Sequence, residues 1–315
     1  MAFVKKLKQS GLCIHFNIDS YNLNLLNMKI IAGITVAAFG AAVVLSACIQ
    51  KSSYRSPAGF DLGKPIKYVV PAELTEISGV AFNKGKNDII YAEDDEEGRV
   101  YYFKPGDKAV KSTVFKDKGD FEDIAVCGPQ VIMLQSKGVL FTIPFSEIGK
   151  PQTGSAKKWE NLLPEGEYEG MYADEDANQV YVLCKHCSID KTSKQCSGFI
   201  FNVTADGSLK NSGDFKLNVK HIEDQLHTDK INFHPSALAR SPLTHDWYIL
   251  SSVNKLLVVA DEKWKIHNVC VLDPDIFTQP EGMAFDSGND LYVSNEGHSA
   301  TSGNIMKFAY KKSAK

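Results

Sequence analysis

Three glutamates stand at matching places in the chain. Glu122 in "FEDIAV", Glu169 in "YEGMYA" and Glu281 in "QPEGMAF" each lead into a short apolar run. Ser78 in "EISGVAF" and Ser236 in "HPSALA" hold the same place. These five positions are separated by 44, 47, 67 and 45 residues. A lone glutamate before a strand is a loop charge. Three of them at one period, in a fold that returns each repeat to a common axis, form a ring of carboxylates. Like charges crowded in a narrow space take up protons or are neutralised by a cation. Hard oxygen donors suit calcium or magnesium rather than zinc. The metal reading therefore names Glu122, Glu169 and Glu281 as ligands, with Ser78 and Ser236 completing the ring. The rival reading is that these side chains only bond backbone N–H groups or water at a channel mouth.

A second set of polar residues follows the second strand of each repeat: Glu93-Asp94, Gln135-Ser136, Cys184-Lys185, Ser251-Ser252 and Asn295-Glu296. If the first strand starts at one face, the second ends there. Asp94 and Glu296 then join the ring carboxylates as ligands; the rival reading is a solvated hairpin turn. The run "EDDEEG" at 93–98 has the composition of a calcium loop but not the spacing of an EF-hand. In "CKHCSIDKTSKQC", 184–196, one CxxC and a lone cysteine do not make the two paired clusters of a structural zinc site. Three states remain open: a disulfide joining Cys184 or Cys187 to Cys196, free thiols, or a metal. Cys127 and Cys270 read as buried free thiols. The histidines are scattered, with no HExxH, and neither a GxSxG elbow nor a glycine-rich phosphate loop is present.

The elements that must position these residues are short strands. "DIIYAEDDEEGRVYYFKPGDK", "QVIMLQSKGVLFTIPF", "DWYILSSVNKLLVVADEKW" and "DLYVSNEGHSATSGNIMKFAY" are hairpins of β-branched and aromatic residues bounded by Gly, Asn, Asp and Pro. No stretch beyond residue 60 carries a helical period longer than one or two turns. A period near 45 with three or four strands per unit is the pattern of a β-propeller. The all-β reading is a propeller of five blades, with room for a degenerate sixth. The 67-residue step is a blade with an insertion near 185–232. The last unit lacks an outer strand, which "KPIKYVV" at 64–70 can supply, closing the ring and removing a sheet edge.

Taken together, "EISGVAF…IIYAEDDEEGRVYYF", "FEDIAV", "YEGMYAD", "SALARSPLTHDWYILSS" and "QPEGMAFDSGNDLYVSNE" resemble the bacterial SdiA-regulated domain family over about 60–312. The resemblance implies a five-bladed propeller distantly related to NHL repeats. It also implies calcium binding, as in at least one member, and no assigned biochemical activity. The chain departs from the pattern at Glu122-Asp123 and Ser236-Ala237, where a glycine is usual in second place. Ordinary backbone dihedrals are expected there, and the glycine of "QPEGMAF" is expected to open a turn.

The N-terminal part places the domain. Residues 28–48, "MKIIAGITVAAFGAAVVLSAC", carry one early lysine, an apolar run and small residues before Cys48. This resembles a lipoprotein signal, with Cys48 as the lipidated residue; the other reading is an uncleaved anchor helix. Residues 28–47 are then the signal peptide and 48–59 a flexible tether. Residues 1–27 read as an upstream extension from a mis-assigned start. The expected protein is held to a bacterial membrane through the lipid on Cys48, in the periplasm or on the cell surface. Of its 315 residues 43% are hydrophobic, enough for a core, and the formal net charge of −3 excludes bulk attraction to nucleic acid. The functional reading is binding of a small ligand or a protein partner at the axial face, with calcium. The alternative is a metal-dependent hydrolase of phytase, lactonase or esterase type, in which the metal would activate water. A third is a protein-interaction platform.

Overall fold

The computed structural model describes residues 54–190, 194–298 and 301–312. The signal peptide and Cys48 lie outside the described residues. The described strands form five four-stranded antiparallel sheets. The first strand, β1 (Ile66–Val69), belongs to the last blade. Blade 1 is β2 (Ile77–Asn83), β3 (Lys86–Asp94), β4 (Glu97–Phe103) and β5 (Lys111–Lys118). Blade 2 is β6 (Phe121–Cys127), β7 (Gln130–Gln135), β8 (Leu140–Pro144) and β9 (Lys157–Trp159). Blade 3 is β10 (Gly166–Asp174), β11 (Gln179–Cys187), β12 (Gln195–Val203) and β13 (Leu209–Asn218). Blade 4 is β14 (Ala237–Arg240), β15 (Trp247–Ser251), β16 (Leu256–Ala260) and β17 (Ile266–Val271). Blade 5 is β18 (Pro280–Phe285), β19 (Leu291–Asn295) and β20 (Asn304–Phe308), with β1 outermost.

The first strands β2, β6, β10, β14 and β18 each lie against the next, and β18 returns to β2. The ring is therefore a five-bladed propeller, and the described residues hold no sixth blade. β1 closes it as expected, pairing Ile66 with Lys307 and Val69 with Asn304. The 67-residue step is a blade of long strands followed by one helix, α1 (Val219–Leu226). The Asn218 side chain caps α1 by accepting from Lys220 N, and Ile222 is buried in the core between blades 3 and 4.

The hydrophobic core is divided into five parts, one at each blade–blade seam. Successive side chains of a strand point to opposite faces, so each first strand feeds both its seams. Ala81 packs with blade 2 while Val80 and Phe82 pack with blade 5. Ile124 and Val126 face blade 1 while Ala125 faces blade 3. Sheets covered on both faces explain continuous apolar runs such as "VIML" and "LLVVA".

Four first strands are bulged where the repeated dipeptide sits. Register shifts fall between Ile77 and Val80, Phe121 and Asp123, Tyr168 and Gly170, and Pro280 and Met283. A bulge leaves a residue out of the ladder and re-aims its side chain. Glu122, Glu169 and Glu281 are such residues.

The dipeptide glycines have a different task from the one expected. Gly79, Gly170 and Gly282 are not in the left-handed region, so Gly282 opens no turn. What they supply is space. A Cβ on Gly282 would lie 2.9 Å from the Gly79 Cα. One on Gly79 would lie 2.7 Å from Ile124 N, and one on Gly170 3.0 Å from the Ala237 carbonyl carbon. Neighbouring first strands touch backbone to backbone there. Gly282→Ala should therefore destabilise the propeller by about 1–3 kcal/mol in urea denaturation. Gly154→Ala, where an added Cβ meets nothing within 4 Å, should leave stability within about 0.5 kcal/mol.

Candidate functional site: the acidic axial mouth

A cavity of about 120 Å³ opens where the first strands begin. Glu122, Glu169 and Glu281 all line it, with Ser78 and Ser236, as the repeat implied. Glu296 lines it too, and its carboxylate accepts a hydrogen bond from the Gln279 amide. Asp94 does not line the cavity. It lies one residue back, nearly buried, with Oδ1 accepting from Glu96 N at 3.1 Å, and Asp95 takes the place at the wall.

The remaining lining residues include four that sequence reasoning did not assign to the site: Asp95, Asp120, Lys185 and His234. Each had a weak signal. Asp95 sits within the "EDDEEG" run, Asp120 two residues before Glu122, and Lys185 in one of the strand-end pairs. His234 opens "HPSALA". Six carboxylates thus face one lysine and one histidine.

Charge is distributed unevenly around this mouth. Lys185 forms an ion pair with Glu169, and both side chains are largely buried. Burial works to lower the Lys185 ammonium's pKa, but Glu169, Glu122 and Glu281 outweigh it and hold it above its usual range. Glu169 stays above the carboxylate range because burial outweighs Lys185. Glu122 is pushed up to about 8, first by burial and then by the charge of Glu169. Glu281 is pushed up to about 7 for the same two reasons, although Ser252 donates to it at 3.2 Å. On the opposite rim no lysine or arginine among the described residues pairs with Glu76, Asp94 or Asp95; nearby Arg99 and Lys118 pair with Glu97 and Glu96. There Glu76, Asp94 and Asp95 each offer an oxygen, and the three lie within 4.8 Å of one another. Burial, with Asp94, Glu76 and Glu296 beyond it, raises Asp95 to about 7; burial first and then Glu76 and Glu97 raise Asp94 to about 6. Asp95 Oδ1 is buried without a hydrogen-bond partner.

Two further carboxylates close the throat beneath the ring. Glu93 is fully buried; its Oε1 accepts from Gly79 N at 2.6 Å and its Oε2 has no partner. Asp123 accepts from Ile124 N at 2.8 Å and from Met171 N of blade 3 at 2.6 Å. Burial raises both well above the usual range, against the backbone N–H groups that donate to them. Asp123 stands in the usual glycine position of its dipeptide and ties blade 2 to blade 3 at the axis.

The cysteine expectation needs correction. The disulfide joins Cys184 to Cys187, with Cα atoms 5.9 Å apart, and does not reach Cys196. Cys196 is a buried free thiol that donates to the Cys184 carbonyl at 3.1 Å. Lys185 is left out of the β10–β11 ladder between the two cysteines, and the bridge closes a two-residue loop rather than stapling an insertion. Cys127 and Cys270 are buried free thiols, as expected.

At the far end of the axis, where the first strands finish, lies a second cavity of about 670 Å³. Its rim carries Lys84, Asp174, Glu175, Arg240 and Asp286. Glu175 of blade 3 accepts from Lys84 N of blade 1 at 2.5 Å.

Fold and mouth together define a five-bladed β-propeller with an acidic axial face. No protein-family model and no curated protein sequence matches the chain. Solved structures do match in fold. Glutaminyl cyclase from Myxococcus xanthus is 11% identical, over 78% of this chain and 96% of that one, with a TM-score of 0.50. A luciferin-regenerating enzyme is 10% identical, over 78% and 95%, with a TM-score of 0.47. Regucalcin from Agrobacterium tumefaciens, a calcium-binding protein, is 10% identical, over 81% and 95%, with a TM-score of 0.46. At these identities the likeness is one of propeller fold alone.

The raised carboxylates set a direction for pH. Their folded pKa values exceed the unfolded ones, so the folded state holds extra protons between about pH 4.5 and 8. The stability this contributes is complete below the unfolded pKa and is lost as pH rises through 7 to 8. In chelator at low salt, the melting temperature should fall from pH 5 to 8, and Glu122→Gln should flatten the fall across that range. A profile identical in wild type and variant would rule out Glu122 as its source.

Proposed function

We propose that the protein is a lipid-anchored, extracytoplasmic propeller of the SdiA-regulated kind whose axial mouth binds a divalent cation, calcium ahead of magnesium, and with it a ligand or partner. The observation that carries this reading is the gathering of six carboxylates against a single lysine around one small cavity. The donor set is all oxygen, which fits calcium and not a soft metal. The unpartnered Asp95 oxygen fits the same ion. Asp95, Glu76 and Asp94 would hold the cation at the rim, with Glu296, Glu122 and Glu281 on the side toward the axis. A bound divalent ion would neutralise the mouth and offer an anionic group a place to bind. Support for the anchor is the apolar run and small residues before Cys48. Among the described residues no helix is long and apolar enough to cross a membrane.

Isothermal titration of Ca²⁺ into metal-stripped full-length protein in detergent should give saturable heat and a higher melting temperature. Asp95→Asn should weaken binding by about tenfold or more, because affinity in such sites follows the number of charged ligands. Asp206→Asn, in an exposed pair with Lys157, should not. Absence of both heat and stabilisation would sink the calcium reading. For the anchor, cells expressing the wild type should incorporate labelled palmitate and hold the protein in the membrane fraction. Cys48→Ser should abolish the label, and a variant that kept it would overturn lipidation there.

A further inference from the structure

Lys185 reaches the axis through a paired irregularity in blade 3. Glu167 pairs with His186, Tyr168 with Cys184 and Gly170 with Leu183. Glu169 and Lys185 are therefore both left out of the ladder, one on each strand, and both are turned to the cavity. They meet as an ion pair whose side chains retain 11% and 26% of their exposure. The Cys184–Cys187 bridge closes the chain on either side of Lys185. Its flanking Cys184 and Cys187 are buried. The backbone that carries the ammonium is thus fixed at the mouth.

Lys185 is also the one permanent cation among the described residues lining this cavity. His234 offers no substitute, since burial first and then the charge of Lys185 lower its pKa. Lys255, on the neighbouring hairpin, donates to the Thr278 carbonyl at 2.8 Å and does not line the wall. An external cation that uses the ring carboxylates must therefore compete with an ammonium already held among them. A tethered group competes at a high effective concentration, since it loses little freedom on binding.

We propose that Lys185 is a built-in competitor for the axial cation site, which limits cation affinity by occupying Glu169 and screening Glu122 and Glu281, and which moves off the ring when a divalent cation binds. The proposal rests on the cation reading above and adds the residue that sets its strength. In this arrangement the rim carboxylates Glu76, Asp94 and Asp95 receive the ion, and the ring glutamates become available to it only as Lys185 leaves. Removing the ammonium frees Glu169 as well.

The test uses full-length protein in detergent and Ca²⁺ as the probe. Lys185→Met should bind Ca²⁺ about tenfold more tightly than wild type, within the usual range of coupling between two sites. Lys185→Arg, which keeps the charge, should stay within about twofold. A second measurement needs no variant. Acetylation by an N-hydroxysuccinimide ester, followed residue by residue by mass spectrometry, should be slow at Lys185 without metal. It should accelerate several-fold on Ca²⁺ addition, while Lys64, in an exposed pair with Asp61, should not change. Binding that is equal in wild type and Lys185→Met, with an unchanged acetylation rate, overturns the competitor and leaves the cation site standing. Absence of Ca²⁺ binding in both proteins overturns the two together. Binding seen only in Lys185→Met supports both, with the competitor dominant.

Discussion

The structure depends on how closely five first strands approach one another at the axis. Blades 5, 1 and 2 meet through Gly282, Gly79 and Ile124 with no room for another Cβ, and Gly170 lies against Ala237 in the same way. Backbone contact this tight leaves side chains only two places to go, into the seams or out at the mouth. The bulges choose between them. They keep the apolar alternation of each strand running into its two seams and expel one residue, which in three blades is a glutamate. Polar groups then stitch the close contacts. Ser294 Oγ accepts from Gly282 N at 2.7 Å and donates to the Ser78 carbonyl at 2.5 Å, joining blade 5 to blade 1. Asp123 does the same between blades 2 and 3.

The charge pattern follows from that geometry. Carboxylates driven together in a half-buried space cannot all ionise, because desolvation and mutual repulsion act in the same direction. The chain answers differently at each level. In the throat burial raises the pKa values of Glu93 and Asp123. At the ring a lysine from the second strand of blade 3 compensates one glutamate. At the rim of blade 1 no lysine or arginine among the described residues pairs with Glu76, Asp94 or Asp95. The mouth is therefore asymmetric, although the repeat that builds it is nearly regular, and the asymmetry separates a region already served by an internal cation from one that is not.

Much of the fold was legible in the sequence because propeller repeats are local. Each blade is a set of hairpins whose turns and apolar runs can be read without knowing what lies beside them. The turn at Asn83-Lys84-Gly85-Lys86, with both central residues at positive φ, is a two-residue hairpin of the primed type. The closing strand was legible from what the last blade lacked. The site was legible only in part. The period picked out Glu122, Glu169 and Glu281 because they recur at one place in each repeat. Asp95 was missed in favour of Asp94 because a hairpin turn, not a period, decides which of two adjacent acids reaches the wall. Lys185 was noted as a strand end but not as a member of the ring, since its inward turn comes from a bulge in the ladder.

The sequence by itself determined that this chain makes a ring of β blades closed by its own N-terminal strand, and that acidic residues gather at one end of the axis. Both follow from alternation and period, which act through neighbours along the chain. The tertiary structure alone decided that the dipeptide glycines serve contact rather than turning and that Cys184 bonds to Cys187 and leaves Cys196 free. It also decided that the acidic ring already contains an ammonium. Those outcomes turn on ångström-scale separations between residues far apart in sequence or offset by one place in a ladder, and a one-residue shift in register exchanges which side chain faces the axis.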